Sequence, residues 1–150
     1  MSTLAGRGND AKTARQTTAI ILAAMPMGVT LFALVTWWIR RGEPTMDPGL
    51  MQVIWLAMAV TVVVAAAVVW RRLVQPELPA GGHTADVSGE RLGRLQTGLI
   101  ICMALIEGAA LFGVITWFIG GSPVPAAASV VMMWAALLAM WPRPGWYGIR

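Results

Sequence analysis

The chain has 150 residues, of which 57% are hydrophobic and only 12% are charged, and its mean hydropathy is +0.68. Soluble domains carry about twice that share of charged residues, so the composition excludes an ordinary soluble protein and indicates an integral membrane protein. The formal net charge of +4 does not indicate nucleic acid, because the basic residues are dispersed at the ends of apolar runs. We therefore expect the lipid bilayer, with its anionic headgroups, as a partner.

The first apolar run covers about residues 17–39 and follows a polar tail over residues 1–15. This run is too long for the core of a secretory signal, and it ends at Arg40 and Arg41 without a small-residue cleavage site. The pattern predicts a retained transmembrane helix. Pro26 lies near its middle, removes one backbone hydrogen bond and predicts a kink at mid-membrane.

Three further apolar runs cover about residues 50–70, 97–119 and 124–141. Each has about the 20 residues that a helix needs to cross ~30 Å of hydrocarbon. The predicted fold is all-α, with four transmembrane helices in one domain over residues 1–150. A longer polar segment, residues 71–96, connects the second and third helices.

The end of this connecting segment reads VSGERLGRLQ and leaves two alternatives open. In one, the third helix starts early, with Ser88 as its N-cap and with Arg91 and Arg94 facing lipid headgroups. In the other, the stretch is a solvated linker.

The distribution of basic residues predicts the orientation of the chain. Four helices place both termini on one side, and that side would carry Arg7, Lys12, Arg15, Arg71, Arg72, Arg91, Arg94, Arg143 and Arg150. Cytoplasmic loops retain Lys and Arg, so we expect a multi-pass protein of the bacterial inner membrane with both termini in the cytoplasm.

Aromatic residues fit the same layout. Trp37, Trp38 and Trp117 would mark the outer membrane boundary, and Trp70, Trp141, Trp146 and Tyr147 the inner one. Trp55 and Trp134 lie deeper in their runs, where we expect packing or lipid contact.

Metal and cofactor chemistry find little support in the sequence. Cys102 is the one thiol and His83 the one imidazole, and together they cannot form a tetrahedral metal site. We expect Cys102 to act as a small apolar residue. The sequence contains no recognisable enzyme motif, so we expect neither an enzyme nor a cofactor.

The first and third apolar runs resemble each other when the chain is shifted by 80 positions. Ala24 aligns with Ala104, and Gly28 aligns with Gly108. The other identical pairs are Gln16/Gln96, Thr17/Thr97, Ile20/Ile100, Ile21/Ile101, Leu31/Leu111, Phe32/Phe112, Thr36/Thr116, Trp37/Trp117 and Ile39/Ile119. Gln, Gly, Thr and Trp are among these identities, so apolar composition alone does not explain them. We predict a duplicated helical hairpin with a parallel repeat. The two small-xxx-small pairs allow close helix contact, and we interpret them as helix-packing residues.

Glu107 is the one acidic residue inside the four apolar runs. An ionisable group at the bilayer centre costs at least ~2.5 kcal/mol on insertion scales, so it is a candidate functional residue. Thr61 and Thr30 fall at roughly similar depth and are its candidate hydrogen-bond partners. We expect a neutral carboxyl that exchanges a proton, because the neighbouring side chains supply no set of oxygen ligands for Na⁺.

The segment ALIEGAALFGVI, residues 104–115, resembles the carboxylate-bearing helix of the rotary ATPase proteolipid, subunit c, which typically reads A-L-x-E-A-x-x-I-Y-G-L-V. The matching positions are Ala104, Leu105, Glu107, Gly113, Val114 and Ile115, with Phe112 where the family often has Tyr. The resemblance implies that Glu107 is the ion-binding carboxylate. A lone carboxylate needs partners to translocate a proton, so we expect an oligomer that associates through the small residues of the first and third helices. The chain departs from the family in its second helix, which lacks the family's glycines, and in carrying its carboxylate on the third of four helices.

Three functions remain open from the sequence. Glu107 can bind a proton within an oligomeric or multi-subunit proton-handling assembly. Alternatively, the chain is a structural or assembly subunit whose buried Glu107 fixes helix association. A carrier of a small molecule or a lipid is the third.

Overall fold

The structure is a computed structural model that describes residues 3–40, 45–78 and 88–149, with residues 3–8 described by their backbone alone. Arg41, His83 and Arg150 lie outside the described residues. All regular structure in the described part is helical, and the four main helices are α1 (Thr3–Ile39), α2 (Pro48–Val69), α3 (Gly89–Gly120) and α4 (Val124–Met140). The predicted all-α class is confirmed.

Three of the four helices are long and apolar enough to cross a membrane. These spans are Asn9–Ile39, Pro48–Glu77 and Gly89–Gly120. The fourth helix is equally apolar in character but has 17 residues, the lower limit for crossing the hydrocarbon core. The structure is thus consistent with a helical membrane protein, with three helices that can span the bilayer and one shorter apolar helix.

Two helices start earlier than the apolar runs suggest. The α1 helix begins at Thr3, inside the segment expected to be a polar tail. The α3 helix begins at Gly89, where the Ser88 side chain accepts a hydrogen bond from the Arg91 amide at 3.3 Å. Of the two alternatives for this stretch, the early helix start is therefore the one observed. Helix propensity and capping are independent of hydropathy, which explains why hydropathy alone misplaces both starts.

The α2 helix has well-defined ends. Asp47 caps it by accepting a hydrogen bond from the Leu50 amide at 2.8 Å, and Pro48 occupies the first turn, where its missing N–H costs nothing. After Val69, the chain continues through a π-helical turn (Trp70–Val74) and a short 3₁₀ helix (Gln75–Glu77). The Val74 side chain is fully buried against the start of α3.

The α3 helix forms the centre of the bundle and contacts each of the other three helices. Half of its most apolar stretch is buried, compared with 22% in α1 and 11% in α2. Its buried side chains recur every three to four residues, as expected for a helix covered on more than one side. They include Leu95, Leu99, Cys102, Met103, Ile106, Ala110 and Val114.

Glycines allow the closest of these helix contacts. At Gly113, a Cβ would collide with the Ser129 hydroxyl of α4 and would lie 2.7 Å from Trp55 Nε1 of α2. At Gly120, it would lie 2.9 Å from Met51 of α2. Three helices therefore approach one another at positions where α3 has no side chain.

Several positions that correspond under the shift of 80 are buried in both α1 and α3. Buried residues of α1 include Thr18, Leu22, Pro26, Val29 and Thr36, and their counterparts Gly98, Cys102, Ile106, Ala109 and Thr116 are all buried as well. The shared burial pattern is compatible with the repeat, and the duplication itself stays a prediction.

The carboxyl-terminal segment contacts the first part of α1. A 3₁₀ turn (Pro144–Tyr147) follows α4, and Arg15 Nε donates to the Pro142 carbonyl at 3.0 Å. Tyr147, expected to mark the membrane boundary, is instead completely buried. We call the side of the bundle that carries this contact the terminal end, and the opposite side the hairpin end.

We predict that Gly113→Ala destabilises the protein by about 1–3 kcal/mol, because the added methyl group overpacks the contact with Ser129 and Trp55. Gly108→Ala is the matched control on the same helix, since a Cβ there meets nothing within 4 Å. The control should be neutral or gain up to ~1 kcal/mol in helix propensity. Reversible unfolding in mixed detergent micelles measures both, and equal stability of the two variants would contradict the close packing at Gly113.

Alkaline pH should weaken the contact made by Tyr147. Burial raises the pKa of its phenol, and the nearby Thr18 hydroxyl and Arg15 charge offset this only in part. The neutral phenol of Tyr147 makes its full contribution to the free energy of unfolding below the ordinary tyrosine pKa of about 10. This contribution is lost as the pH rises through the higher pKa of the folded state.

The Tyr147→Phe variant should lose this alkaline dependence. It should also be at least as stable at neutral pH, because the Tyr147 oxygen is buried without a hydrogen bond to another described residue. Tyr147 is the one tyrosine of the chain, so tyrosinate absorbance reports its ionisation directly. Thermal unfolding in detergent at neutral and alkaline pH measures the stability of the natural chain and of Tyr147→Phe. An equal loss of stability at alkaline pH in both proteins would exclude Tyr147 as the cause of that loss.

Candidate functional site

Glu107 lies on α3 next to α1. Its side chain is half-buried, between the fully buried Met103 and the exposed Gly108. One carboxylate oxygen, Oε1, lies 4.0 Å from the position that a Cβ would take on Gly28 of α1. The carboxyl group therefore sits at the α1–α3 contact, where the glycine leaves room for it.

The surface next to Glu107 has no covering helix within the chain. The α4 helix contacts both α3 and α1, whereas α1 and α2 make at most a marginal contact with each other. A sector of α3 between α1 and α2 is thus left open. Its floor contains Ala104 and Gly108, which are both exposed. We call this surface the open α3 sector.

The four predicted helix-packing residues share one property in the structure. Ala24, Gly28, Ala104 and Gly108 are all exposed, whereas the close contacts inside the chain form at Gly98, Gly113 and Gly120. Gly28 is near the Glu107 carboxylate, but Gly108 meets no neighbouring element. Their role in helix packing, within the chain or between chains, stays a prediction.

The two threonines predicted as partners of Glu107 bond elsewhere. Thr30 Oγ1 donates to the Pro26 carbonyl at 2.7 Å, and Thr61 Oγ1 donates to the Ala57 carbonyl at 2.9 Å. Both bonds run back along the same helix, which is how a Thr hydroxyl satisfies itself when no better acceptor is in reach. The structure assigns Glu107 no hydrogen bond or ion pair with another described residue.

Pro26 lies in the middle of α1 and is buried, and the helix continues through it. Because proline has no N–H, the Leu22 carbonyl loses its usual helical partner. The Thr30 hydroxyl returns to the Pro26 carbonyl one turn later. The predicted helix breaker thus lies two residues before Gly28, which is next to the Glu107 carboxylate, and its kink stays a prediction.

Two hydrogen bonds between helices were missed at the sequence level. Trp55 Nε1 of α2 donates to Ser129 Oγ of α4 at 3.1 Å, and Trp134 Nε1 of α4 donates to Thr30 Oγ1 of α1 at 3.2 Å. Packing or lipid contact is therefore an incomplete description of Trp55 and Trp134. The available signal was chemical, since an indole N–H in an apolar environment needs an acceptor. Which hydroxyl accepts depends on how the helices are arranged.

Cys102 is buried in α3, and its thiol lies 3.5 Å from the Ala66 carbonyl of α2. Among the described residues, no group of three His, Cys, Asp or Glu side chains is placed to hold a metal ion. The candidate site therefore consists of the Glu107 carboxyl, Gly28 opposite it and the open α3 sector beside it. Such a carboxyl can hold or release a proton, or donate a hydrogen bond to a neighbouring chain.

No family model, curated protein or solved structure significantly matches the chain. The resemblance of residues 104–115 to the proteolipid helix therefore stays a prediction.

We predict that Glu107→Gln folds with stability within about 0.5 kcal/mol of the natural chain. The side chain keeps its shape and no described residue depends on the carboxyl for a hydrogen bond, so the change resembles a surface substitution. Leu99→Ala is the contrasting variant on the same helix and should lose about 2–5 kcal/mol, because Leu99 is fully buried. Unfolding in detergent measures both, and a large loss in Glu107→Gln would reveal a structural partner inside the chain.

Proposed function

We propose that the protein binds a proton on Glu107 at mid-membrane and acts within an oligomeric or multi-subunit proton-handling assembly. The observation that supports this most is the position of the carboxyl, which is half-buried beside Gly28 and opens towards an uncovered surface. A carboxyl with no cationic partner in an apolar environment favours its neutral form and binds a proton reversibly when water or another acceptor reaches it.

The assembly part of the proposal follows from the same geometry. A bundle of four helices with α3 at its centre leaves little space for an aqueous path, so a second chain must supply the other side of any proton pathway. The open α3 sector offers a floor of small residues for such a chain. Both termini would lie in the cytoplasm, with the terminal end carrying most of the basic residues.

A second function is supported by the exposed small residues themselves. Ala104 and Gly108 flank Glu107 along one face of α3 and are free to accept a neighbouring helix at close distance. In that case the neutral carboxyl donates a hydrogen bond across the contact, and the protein is a structural or assembly subunit. The two functions differ in whether Glu107 remains accessible.

Labelling with a hydrophobic carbodiimide in native membranes distinguishes accessible from sealed carboxyls. We expect labelling of the natural chain at Glu107 at pH 5 that fades towards pH 9, because the reagent reacts with the protonated acid. The matched control is Glu107→Gln, whose intact mass should not change. Labelling independent of pH, or absent at every pH, would contradict reversible proton binding and favour the structural alternative.

Disulfide cross-linking in a Cys102→Ala background tests assembly separately. Gly108→Cys places a thiol on the open α3 sector, and Val131→Cys places one on the exposed side of α4 as a control. Rapid cross-linking at position 108 alone would support association of copies through the sector. Equal yields at both positions would indicate random collision and remove the support for a homo-oligomer at this surface.

A further inference from the structure

An apolar groove of about 290 Å³ lies between α2 and α4, on the side of the bundle away from the open α3 sector. Its walls include Ala67 of α2, Trp70 of the π-helical turn and Ala139 and Met140 of α4. Its floor is formed by Cys102 and Ile106 of α3. The groove lies on the terminal side of the hydrogen bond between Trp55 and Ser129. It is open to the surroundings because α2 and α4 make at most a marginal backbone contact with each other.

The groove runs along the helices, and its length is comparable to that of a lipid acyl chain. Its lining on α2 extends from Val63 to Trp70, which at 1.5 Å per residue is about 10 Å along the helix. One leaflet of hydrocarbon is ~15 Å deep, half of the ~30 Å core. Trp70, at the mouth of the groove, is the first residue of the π-helical turn that follows α2. An acyl chain entering from the headgroup region on the terminal side would therefore lie in the groove over much of its length.

Positive charge is concentrated at this mouth. Arg71 and Arg72 follow Trp70 directly and are exposed. The Trp70 ring packs edge-on against Trp146, with 6.2 Å between ring centroids, and the Arg143 guanidinium lies 5.7 Å above the Trp146 ring. None of these three arginines forms an ion pair with another described residue, in contrast to Arg91 and Arg94, which pair with Glu77 and Glu90.

We propose that this groove binds an anionic phospholipid of the adjacent leaflet, with one acyl chain between α2 and α4 and the phosphate near Arg71, Arg72 and Arg143. The apolar lining matches the chain, and the cationic mouth matches the headgroup, which is the arrangement expected of a lipid site between transmembrane helices. The two indoles at the mouth occupy the interfacial level that such rings prefer. The site does not involve Glu107 and is independent of the proposed proton binding.

Native mass spectrometry of the full-length protein tests the site. The protein is purified in mild detergent and mixed with equal amounts of phosphatidylglycerol and phosphatidylcholine that carry identical acyl chains. We expect the bound fraction to favour phosphatidylglycerol. Each basic residue at a membrane surface strengthens anionic-lipid binding about fivefold, so Arg71→Gln and Arg143→Gln should each lower the preference by about that factor. Lys12→Gln, an exposed charge at the same end of the bundle, should leave it unchanged.

Filling the groove tests the acyl-chain position. Ala67→Phe and Ala139→Phe each place a ring in the groove from an exposed position, and both should lower retention of either lipid at least fivefold. Ala57→Phe is the matched control on an exposed part of α2 outside the groove. Circular dichroism establishes whether each variant is folded. If one of the two groove variants does not fold, the other one is used for the lipid-binding measurement.

Four outcomes would overturn the proposal. One is equal retention of both lipids by the natural chain. Another is an equal effect of Lys12→Gln and Arg143→Gln, which would indicate general electrostatic attraction. The third is unchanged lipid retention in both folded groove variants. The fourth is a dimer of the natural chain that Ala67→Phe or Ala139→Phe dissociates, which would identify a second copy as the occupant of the groove.

Discussion

The close approach of three helices at the glycines of α3 is the contact on which the rest of the structure depends. In lipid, no hydrophobic force drives helices together, so association rests on van der Waals contact and on hydrogen bonds between helices. Gly113 provides both, because the missing side chain admits Ser129 and Trp55, which then bond to each other. The position of α2 and α4 on α3 follows from this contact.

The arrangement around α3 also explains where the candidate sites lie. Packing at Gly113 holds α2 and α4 together at the hairpin end and leaves a groove between them at the terminal end. On the other side of α3, α1 packs through Leu22 and Val29 and leaves Gly28 exposed beside Glu107. Two surfaces with different chemistry therefore result from one packing arrangement. The groove between α2 and α4 is apolar with a cationic mouth, and the open α3 sector consists of small residues beside a carboxyl group.

The structure changes the meaning of several residues without changing their chemistry. The small residues Ala24, Gly28, Ala104 and Gly108 read as helix-packing residues in the sequence, and they are exposed in the folded chain. Tyr147 reads as an interfacial aromatic, yet it is buried beside Thr18 in α1. Thr30 reads as a partner of the carboxyl, yet it accepts a hydrogen bond from Trp134. In each case the residue type fits more than one environment, and its neighbours decide which environment it has.

The sequence by itself determined the membrane class, the approximate position of the helices and the isolation of Glu107, because hydropathy and helix length are properties of consecutive residues. The capping potential of Ser88 was equally readable, although a linker remained possible there. Only the tertiary structure decided which face of each helix is covered. Burial of Gly113, exposure of Gly108 and the pairing of Trp55 with Ser129 depend on contacts between residues far apart in the chain. Apolar helices have little periodic contrast between lipid-facing and protein-facing sides, so their sequences alone do not define those contacts.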